Sequence, residues 1–264
     1  MNTKSSPTDA VIIIPTYTNT AGLKDVLSCN KTYGNYRVIV VNNNPINSLN
    51  DLPEIEVSDI LTEPKNAGFA KACNDGAGEA TTKYHPRYLV FLNDDVTYAT
   101  DWIKTCIGEM KTHKWSATVP RLIRPDGTIE NVGYIIKKNG RTKLLTEPSK
   151  GGPDGITAAA LVIDTDTFKE LDGFDESFFA YLEDVDLCLR MTKAGKTFGV
   201  THSAAVTHMG QRTSSKMSQK KAMLDFKNWI KLIARHWSRE EKLKYLPQIA
   251  IERLRNLSGV IKSV

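Results

Sequence analysis

The sequence predicts an α/β fold built on an open, mixed and mainly parallel β-sheet flanked by helices. Three observations predict it. Short apolar runs alternate with segments of helical periodicity through the first half of the chain. The order strand, helix, strand is the one that gives parallel pairing. Beyond residue 211 the pattern becomes helical, which predicts a C-terminal helical extension.

Each element has its own sequence signal. Strands are predicted at 11–14, 36–41, 59–62, 88–92 and 203–207, and helices at 20–29, 67–80 and 101–111. The strand at 88–92 is uniformly apolar, as a central strand covered on both faces should be. A short helix is predicted to begin near Glu183, with acids in its first turn and Gly195 just beyond its end. The stretch 140–155, rich in Gly, Pro and charge, is typical of a surface loop, either inert or closing over a substrate.

Polar residues follow three of the predicted strands. They are Thr16 and Tyr17, then Asn42 to Asn44, then Asn93 to Asp95. In an open α/β sheet the carboxyl ends of the strands line the ligand crevice, so we expect these side chains to lie there. Asp94 and Asp95 are carboxylates of the kind that hold Mg²⁺ or Mn²⁺ against a substrate diphosphate, although Asn and Asp after a strand also form ordinary turns.

Composition and missing motifs exclude several classes of protein. The 264 residues are 41% hydrophobic, which fits a globular chain of one large domain or two small ones. No apolar run approaches the roughly 20 residues of a membrane span, and the polar start MNTKSSPTDA does not resemble a signal peptide, so we expect a cytoplasmic protein. Four widely spaced cysteines favour reduced, buried side chains. The motifs of dinucleotide-binding, P-loop, zinc protease and serine hydrolase sites are all missing.

The charge is distributed unevenly along the chain. Residues 212–264 hold 13 Lys or Arg against 4 Asp or Glu, a net charge of +9, whereas the whole chain carries +5. We therefore expect a domain at 1–210 and a basic helical extension at 211–264. The extension carries two apolar stripes, which are Met223, Phe226, Ile230 and Ile233, then Leu243, Leu246, Ala250, Leu254, Leu257 and Ile261.

These two stripes lead to different expectations. The first is expected to pack on the domain. The second either packs on the domain or on a second copy of the chain in a homo-oligomer, or lies on the inner face of a membrane. No nucleic-acid recognition motif accompanies the basic residues, so we expect no nucleic-acid partner.

Six stretches, taken in order, resemble family 2 glycosyltransferases of the GT-A fold, a Rossmann-like sheet, and in particular their rhamnosyltransferase-like branch. The stretches are VIIIPTY, VIVVNNN, EPKNAGFAKACNDG, LVFLNDDV, TAAALVIDTDTFKELDGFDESFFAYLEDVDLCLRMTKAGK and VTHMG. Each motif alone is loose, but their shared order from Val11 to Trp237 is specific.

The resemblance implies a role for individual residues of this sequence. It implies contact with the nucleotide-sugar donor for Pro15, Thr16, Tyr17, Asn42, Asn43, Asn66, Gly68, Asn74, Asn93 and Asp94. It implies that Asp95 and His208 bind the metal, and that Asp184 is the catalytic base. The chain departs from the family pattern in two places: Asn42 stands where an Asp is usual, and Thr157-Ala158-Ala159 where a Gly-Ala pair is usual.

Physical chemistry supports the metal and the base independently. A departing nucleotide diphosphate develops negative charge, which a divalent cation, Mn²⁺ or Mg²⁺, stabilises. An acceptor hydroxyl must lose a proton, and aromatic neighbours such as Phe179 and Tyr181 desolvate Asp184 and so make it a better base. Glu183 is expected to position Asp184 or the acceptor. Asp186 is expected to pair with Arg190, and Asp175 to cap the turn that follows it.

The sequence thus predicts an inverting glycosyltransferase. The expected donor is a UDP- or dTDP-sugar, such as dTDP-rhamnose, and the expected acceptor is a glycan or a lipid-linked sugar in bacterial cell-surface polysaccharide synthesis. Two alternatives stay open. A nucleotidyltransferase would need a glycine-rich phosphate loop that this N-terminus lacks. A non-catalytic carbohydrate-binding protein would have no use for Asp184 or the Asp94-Asp95 pair. His208 is equally compatible with an ordinary histidine.

Overall fold

A computed structural model describes residues 9–34, 36–46, 49, 52, 57–210 and 218–262, without the side chains of 218–220 and 257–262. Its strands are β1 (Ala10–Thr16), β2 (Arg37–Asn42), β3 (Asp59–Thr62), β4 (Tyr88–Leu92), β5 (Val96–Thr97), β6 (Ala117–Ile123), β7 (Ile129–Asn131), β8 (Tyr134–Ile136), β9 (Thr142–Leu144), β10 (Ala160–Asp164) and β11 (Phe198–His208). Its helices are α1 (Thr20–Tyr33), α2 (Phe69–Tyr84), α3 (Trp102–His113), α4 (Thr165–Glu170), α5 (Glu183–Lys193), α6 (Ser218–His236), α7 (Arg239–Lys244) and α8 (Leu246–Lys262), and a 3₁₀ turn spans Glu176–Phe178.

The main sheet has the order β3-β2-β1-β4-β10-β6-β11-β5, with β7 beside β6. The pairings among β3, β2, β1 and β4 are parallel. Strand β10 runs antiparallel to both β4 and β6. The prediction of an α/β fold with an open mixed sheet is confirmed. The antiparallel β10 was not predicted.

The direction of β10 decides what lies at the crevice. Because β10 is antiparallel to β4, its first residue, Ala160, pairs with the last residue of β4, Leu92. Residues 157–159 therefore lie beside Asn93, at the edge where the parallel strands end. The crevice is lined by the carboxyl ends of β1, β2 and β4 together with the approach to β10.

The core lies on both faces of this sheet. Side chains alternate along each strand, so Ile12 and Ile14 of β1 pack with α1 and α3, whereas Val11 and Ile13 pack with α2 and α5. This double burial explains why β1 and β4 have no polar face in the sequence. The predicted elements of the first half all exist, with ends displaced by up to four residues.

Helix α6 packs on the domain as predicted, but of the predicted stripe only Ile233 is buried among the described side chains, together with Trp229 and Leu232. Met223 and Ile230 are exposed, whereas Trp229, Leu232 and Ile233 are buried against Phe178, Val185 and Tyr134. The predicted boundary near residue 211 falls in 211–217, outside the described residues.

The apolar stripe on helix α8 is exposed to solvent. Leu246, Ala250 and Leu254 are exposed, as is Leu243 of α7, whereas Glu252 and Arg253 of α8 are buried. The side chains of Leu257 and Ile261 lie outside the described part. Of the three expected locations, packing on the domain is wrong for the described stripe residues. No helix within the described ranges is long and apolar enough to cross a bilayer.

Candidate active site

Asp94 anchors the turn after β4 to the end of β1. The Thr16 hydroxyl donates to its Oδ2 over 2.6 Å, and the Asn19 amide donates to its backbone carbonyl over 2.9 Å. Burial raises the pKa of Asp94 to about 6, against the hydrogen bonds from Thr16 and Asn19, which lower it. Asp94 thereby fixes the turn, and the next residue, Asp95, is directed towards the last strand.

His208, at the end of β11, lies between two carboxylates. Its Nε2 is 3.3 Å from Oδ1 of Asp95, and its Nδ1 is 3.0 Å from Oε2 of Glu130 on β7. The neighbouring backbone supports this arrangement, because the Met209 N–H donates to the Asp95 carbonyl and β11 pairs with β5 at Val96. Burial lowers the pKa of His208, but the hydrogen bonds and charges of Asp95 and Glu130 outweigh it and raise the pKa to about 9.

The residue types and spacing fit a divalent cation. Neighbouring ligands of an octahedral Mg²⁺ or Mn²⁺ lie about 3.0 Å apart, so the 3.3 Å between Asp95 Oδ1 and His208 Nε2 suits two positions on one ion. Glu130 accepts the Nδ1 proton of His208, which leaves Nε2 to face Asp95, an arrangement common around metal-bound histidines. Within the described residues no group of three or more His, Cys, Asp or Glu side chains is gathered for a metal. The remaining ligands would be diphosphate oxygens and water.

Asp184 lies at the start of α5, beside the approach to β10. Its Oδ2 accepts from the Ala158 N–H over 3.3 Å, and its Oδ1 accepts from the Val185 N–H over 2.8 Å. The Ala159 carbonyl in turn accepts from the Asn93 N–H over 2.9 Å. Two adjacent residues thus connect Asp184 to the turn that carries Asp94 and Asp95.

The two carboxylates of α5 differ in their surroundings. Asp184 is partly exposed, whereas Glu183 is only 7% exposed and its Oε2 has no hydrogen-bond partner within the described ranges. Burial raises the pKa of Asp184, against hydrogen bonds from Val185, Ala158 and Thr157. Burial and the adjacent Asp184 raise the pKa of Glu183 to about 8. A proton shared by the pair is therefore favoured on Glu183, the more deeply buried of the two carboxyl groups.

The expected donor side is a network of backbone and amide contacts. Asn43 donates from its side chain to the Gly68 carbonyl over 3.0 Å and accepts from the Ala67 N–H over 2.8 Å, and Asn66 Oδ1 accepts from the Gly68 N–H over 3.0 Å. Asn42 is buried at the end of β2, opposite Thr16 in the parallel register. The side chains of Asn43 and Asn66 thus shape the turn before α2, and contact of that turn with a nucleotide remains a prediction.

Asn74 lies on α2, away from the strand ends. Its amide donates to the Phe174 carbonyl over 2.8 Å, and its Oδ1 accepts from the Phe174 N–H over 2.9 Å. It also lines a cavity of 840 Å³ that includes Phe168 and Arg190 but none of Asp94, Asp95, Asp184 or His208. The structure therefore does not bring Asn74 together with the other predicted donor residues. Pro15 and Tyr17, in contrast, lie at the end of β1, beside Thr16.

The model of glycosyl transferase family 2 matches residues 11–164, more than half of the chain and most of the sheet just described. The chain belongs to glycosyltransferase family 2. The crystal structure of GalNAc-T7 with UDP, GalNAc and Mn²⁺ has a TM-score of 0.71 at 13% identity, and the match covers 92% of this chain and 50% of that one. The fold is of the GT-A type, as the sequence predicts.

Two bacterial proteins are similar to this family 2 member. A pre-mycofactocin glycosyltransferase of Mycobacterium tuberculosis is 25% identical over 210 residues, which cover 76% of this chain and 42% of that protein. An N-acetylglucosaminyl-diphospho-decaprenol L-rhamnosyltransferase of the same species is 25% identical over 177 residues, covering 56% and 58%. The chain thus spans less than two thirds of the length of either relative.

Three residues of the site were missed by the sequence analysis. Glu130 and Asn228 belong to no motif and reach the site only through the fold. Asn19 precedes α1 and caps it by accepting from the Gly22 N–H over 3.1 Å. An Asn directly before a helix is a recognisable cap signal, so of these three residues Asn19 could have been predicted from the sequence.

Proposed function

We propose that this protein is an inverting glycosyltransferase that moves a sugar from a UDP- or dTDP-sugar to a hydroxyl of a glycan or lipid-linked acceptor. One observation carries the proposal: Asp184 is connected to the turn of Asp94 and Asp95 through the backbone of Ala158 and Ala159. A base for the acceptor and a cation site for the leaving group thus lie on one rigid frame, as transfer from a nucleotide diphosphate requires.

Asp95 and His208 would hold the divalent cation, which offsets the charge that develops on the departing diphosphate. Glu130 keeps His208 oriented, and Asp94 keeps the turn in place through Thr16 and Asn19. Thr16 and Asn42, side by side at the ends of β1 and β2, are the residues proposed to lie under the nucleotide.

Asp184 takes the proton of the acceptor hydroxyl as that oxygen attacks the anomeric carbon. The raised pKa of Asp184 suits this role, because a base works best when its pKa approaches the working pH. Glu183 is protonated and buried, so it does not serve as a second carboxylate nucleophile. A single displacement follows, with inversion at the anomeric carbon.

The relatives narrow the donor and acceptor to be tested. One carries an L-rhamnosyltransferase name with a diphospho-decaprenol acceptor, which supports dTDP-rhamnose as the first donor and a lipid-linked sugar as the first acceptor. We accordingly propose a place in bacterial cell-surface polysaccharide synthesis, at the cytoplasmic side of the membrane.

The experiment that tests the donor site is isothermal titration with UDP, dTDP, GDP and CDP, each with Mn²⁺ and with EDTA. We expect Mn²⁺-dependent binding of UDP or dTDP, lost in Asp95→Ala. Asp126→Ala, in an exposed loop, is the matched control and should bind as the parent does. Failure of all four nucleotides to bind with Mn²⁺ would contradict the proposal, and binding without any transfer would favour a non-catalytic protein.

We further propose that the outer face of α8, formed by Leu246, Ala250, Ile251 and Leu254, lies on an anionic membrane surface. These side chains are exposed, and Lys244 and Arg255 flank them. The net charge of +9 over residues 212–264 complements a negative lipid surface. The basic, apolar face would hold the enzyme where lipid-linked acceptors are found.

Co-sedimentation with vesicles of phosphatidylcholine, with and without phosphatidylglycerol, tests this surface. We expect binding only with phosphatidylglycerol, and its loss in the double variant Leu246→Asp/Leu254→Asp. Leu144→Asp on β9 replaces an equally exposed leucine and should still bind. If the double variant instead breaks a dimer and leaves vesicle binding unchanged, the face is a subunit interface and the membrane proposal is wrong.

A further inference from the structure

Asn228 of α6 donates to three carbonyl oxygens of one short segment. Its Nδ2 lies 2.9 Å from the carbonyl of Phe178 and 2.8 Å from those of Ala180 and Tyr181. The residue is only 2% exposed. Since three carbonyls surround one atom, that atom is the amide nitrogen, and the side chain acts as a donor.

The segment it holds has an unusual backbone. Phe179, Tyr181 and Leu182 have φ angles of 62°, 71° and 70°, a region that side chains other than glycine seldom adopt. The Ala180 N–H donates to the Phe178 carbonyl over 2.7 Å, which closes a γ-turn around Phe179. Such a conformation persists only when its surroundings over-determine it.

The segment leads directly into the proposed base. Leu182 is the residue before α5, and its carbonyl accepts from the Asp186 N–H over 2.9 Å, which closes the first turn of the helix. The N-cap residue, Leu182, makes no side-chain cap. The position of Asp184 is therefore determined by the turn formed by 178–182, named here the base turn, and by the bond from Ala158.

Other residues of α6 hold the flanks of the base turn. Lys231 donates to the Ser177 carbonyl, and Arg235 forms an ion pair with Asp175. His236 Nε2 is 2.7 Å from Asp186, inside α5. Among the described residues of α6, Asn228 alone hydrogen-bonds to backbone carbonyls of the base turn, on both sides of Phe179. The Phe179 carbonyl between them accepts from the Ala70 N–H of α2 over 3.2 Å.

We infer that Asn228 is a positioning residue for the transfer reaction: by fixing the base turn, it sets the place of Asp184 against the acceptor hydroxyl. This inference rests on the proposed function of Asp184. It gives α6, which lies in the basic extension, an indirect part in catalysis through the base turn.

The test compares Asn228→Ala with Asn30→Ala. Asn30 is also a buried asparagine, 5% exposed, and it holds the loop before β2 by donating to the Tyr36 carbonyl and accepting from the Tyr36 N–H. Both variants lose buried hydrogen bonds, but only one of the loops leads to Asp184. Three quantities are measured on the full chain: UDP or dTDP affinity with Mn²⁺, kcat and donor KM, and amide hydrogen exchange of residues 178–186.

For Asn228→Ala we expect kcat to fall about ten-fold or more below that of Asn30→Ala, since small misplacements of a catalytic group are costly. Donor affinity and KM should change less than kcat, because the donor side meets the base turn at the Phe179 carbonyl, through Gly68 and the Ala70 N–H, and not at the carbonyls that Asn228 holds. Exchange should rise at 178–186 in Asn228→Ala alone. If Asn228→Ala does not fold, Asn228→Ser, which keeps one short donor, is measured instead with the same expected direction.

Equal kcat in the two variants, or unchanged exchange at 178–186, would overturn the inference. A wild-type protein that binds donor but transfers nothing, or an Asp184→Asn variant of full activity, would overturn the proposed function instead. The exchange measurement separates the two failures, because it reports on the base turn without any turnover.

Discussion

The two adjacent acids at the start of α5 have different surroundings. Replacing each by its amide should therefore change kcat to a different extent. Asp184 is partly exposed and is the proposed base, so Asp184→Asn should lower kcat by about 100-fold or more, the usual contribution of a general base. Glu183 is buried and protonated, so Glu183→Gln should keep kcat within a few-fold. Transfer rates at neutral pH with saturating donor check both expectations.

The opposite result would contradict the assignment of Asp184 as the base. If Glu183→Gln were the inactive variant and Asp184→Asn the active one, the base would have to be reassigned to Glu183. Titration of both variants with UDP or dTDP and Mn²⁺ serves as the control, because neither substitution touches Asp95 or His208 and both should leave donor affinity unchanged.

Glu183 should also make the stability of the protein depend on pH. Its pKa is raised from 4.5 to about 8, so between these values the folded protein keeps a proton that the unfolded chain releases. The stability associated with this proton is complete below pH 4.5 and is lost as the pH rises through about 8. Glutamine has no proton to release, so Glu183→Gln should melt a few degrees higher than the parent at pH 8.

Thermal unfolding of the parent and of Glu183→Gln, measured from pH 5 to pH 9, checks this expectation. The gap in melting temperature between the two should widen as the pH rises. A constant gap would mean that Glu183 does not titrate in this range. In that case Glu183 would have a hydrogen-bond or ionic partner that keeps its pKa below pH 5.

At the scale of elements, the start of α2 is fitted against the base turn. Gly68 has φ = 90°, and a Cβ at this position would lie 2.4 Å from the Phe179 carbonyl oxygen. Gly68→Ala should therefore destabilise the protein by about 1–3 kcal/mol and lower kcat as well, because the base turn must move. Urea unfolding and transfer rates measure the two effects.

Gly78, on the same helix, provides the matched control. A Cβ there meets nothing within 4 Å. Gly78→Ala should leave kcat unchanged and stabilise the protein by up to about 1 kcal/mol, the propensity gain of alanine inside a helix. If both variants behave alike, the contact between Gly68 and Phe179 does not matter for the site.

Strands and contacts between residues close in sequence could be predicted from the sequence. Strands β1, β2 and β4 were located within two residues because burial on both sheet faces leaves apolar runs, whereas β3, an edge strand, was located although it is only half buried. The predicted pairing of Asp186 with Arg190 is confirmed at 2.7 Å, and so is the cap provided by Asp175, because both contacts are local. The stretch 140–155 forms β9 as well as loop, because it can pair with β8.

Contacts between segments that are far apart in the sequence could not be predicted from it. Glu130 meets His208 across 78 positions of sequence, and no pattern around either residue announces the other. Strand β10 has the composition of any buried strand, so its antiparallel direction and its place beside Asn93 follow only from the assembled sheet. Asn228 lies among lysines and apolar residues that read as an ordinary amphipathic helix.

At the scale of the whole molecule, the basic extension closes the core around the proposed base. Trp229, Leu232 and Ile233 of α6 cover Phe178 and Val185, which flank the acids on either side. Asp186 accepts from both Arg190 of α5 and His236 of α6. The chain is thus divided by charge near residue 211, but its packing crosses that division.

Truncation should reveal this dependence. A chain that ends at Gly210 loses four large side chains that pack with Phe178 and Val185, namely Trp229, Leu232, Ile233 and Trp237. Each stabilises the fold by about 1.5–3 kcal/mol when buried, and together they approach the 5–15 kcal/mol that holds a typical domain together. We therefore expect residues 1–210 to show no cooperative thermal unfolding and no transfer.

A chain that ends at Tyr245 is the control for this truncation. It keeps α6 and loses α8, whose buried side chains include Arg253, stacked over Trp229 at 5.1 Å, and Glu252, beside Arg141. It should unfold cooperatively at a lower temperature, keep transfer to a soluble acceptor, and no longer bind anionic vesicles. Calorimetry measures the unfolding of both truncated chains, and transfer assays measure their activity. Cooperative unfolding and full transfer by residues 1–210 would mean that the catalytic domain stands without α6, because the base turn would then be held by the sheet alone.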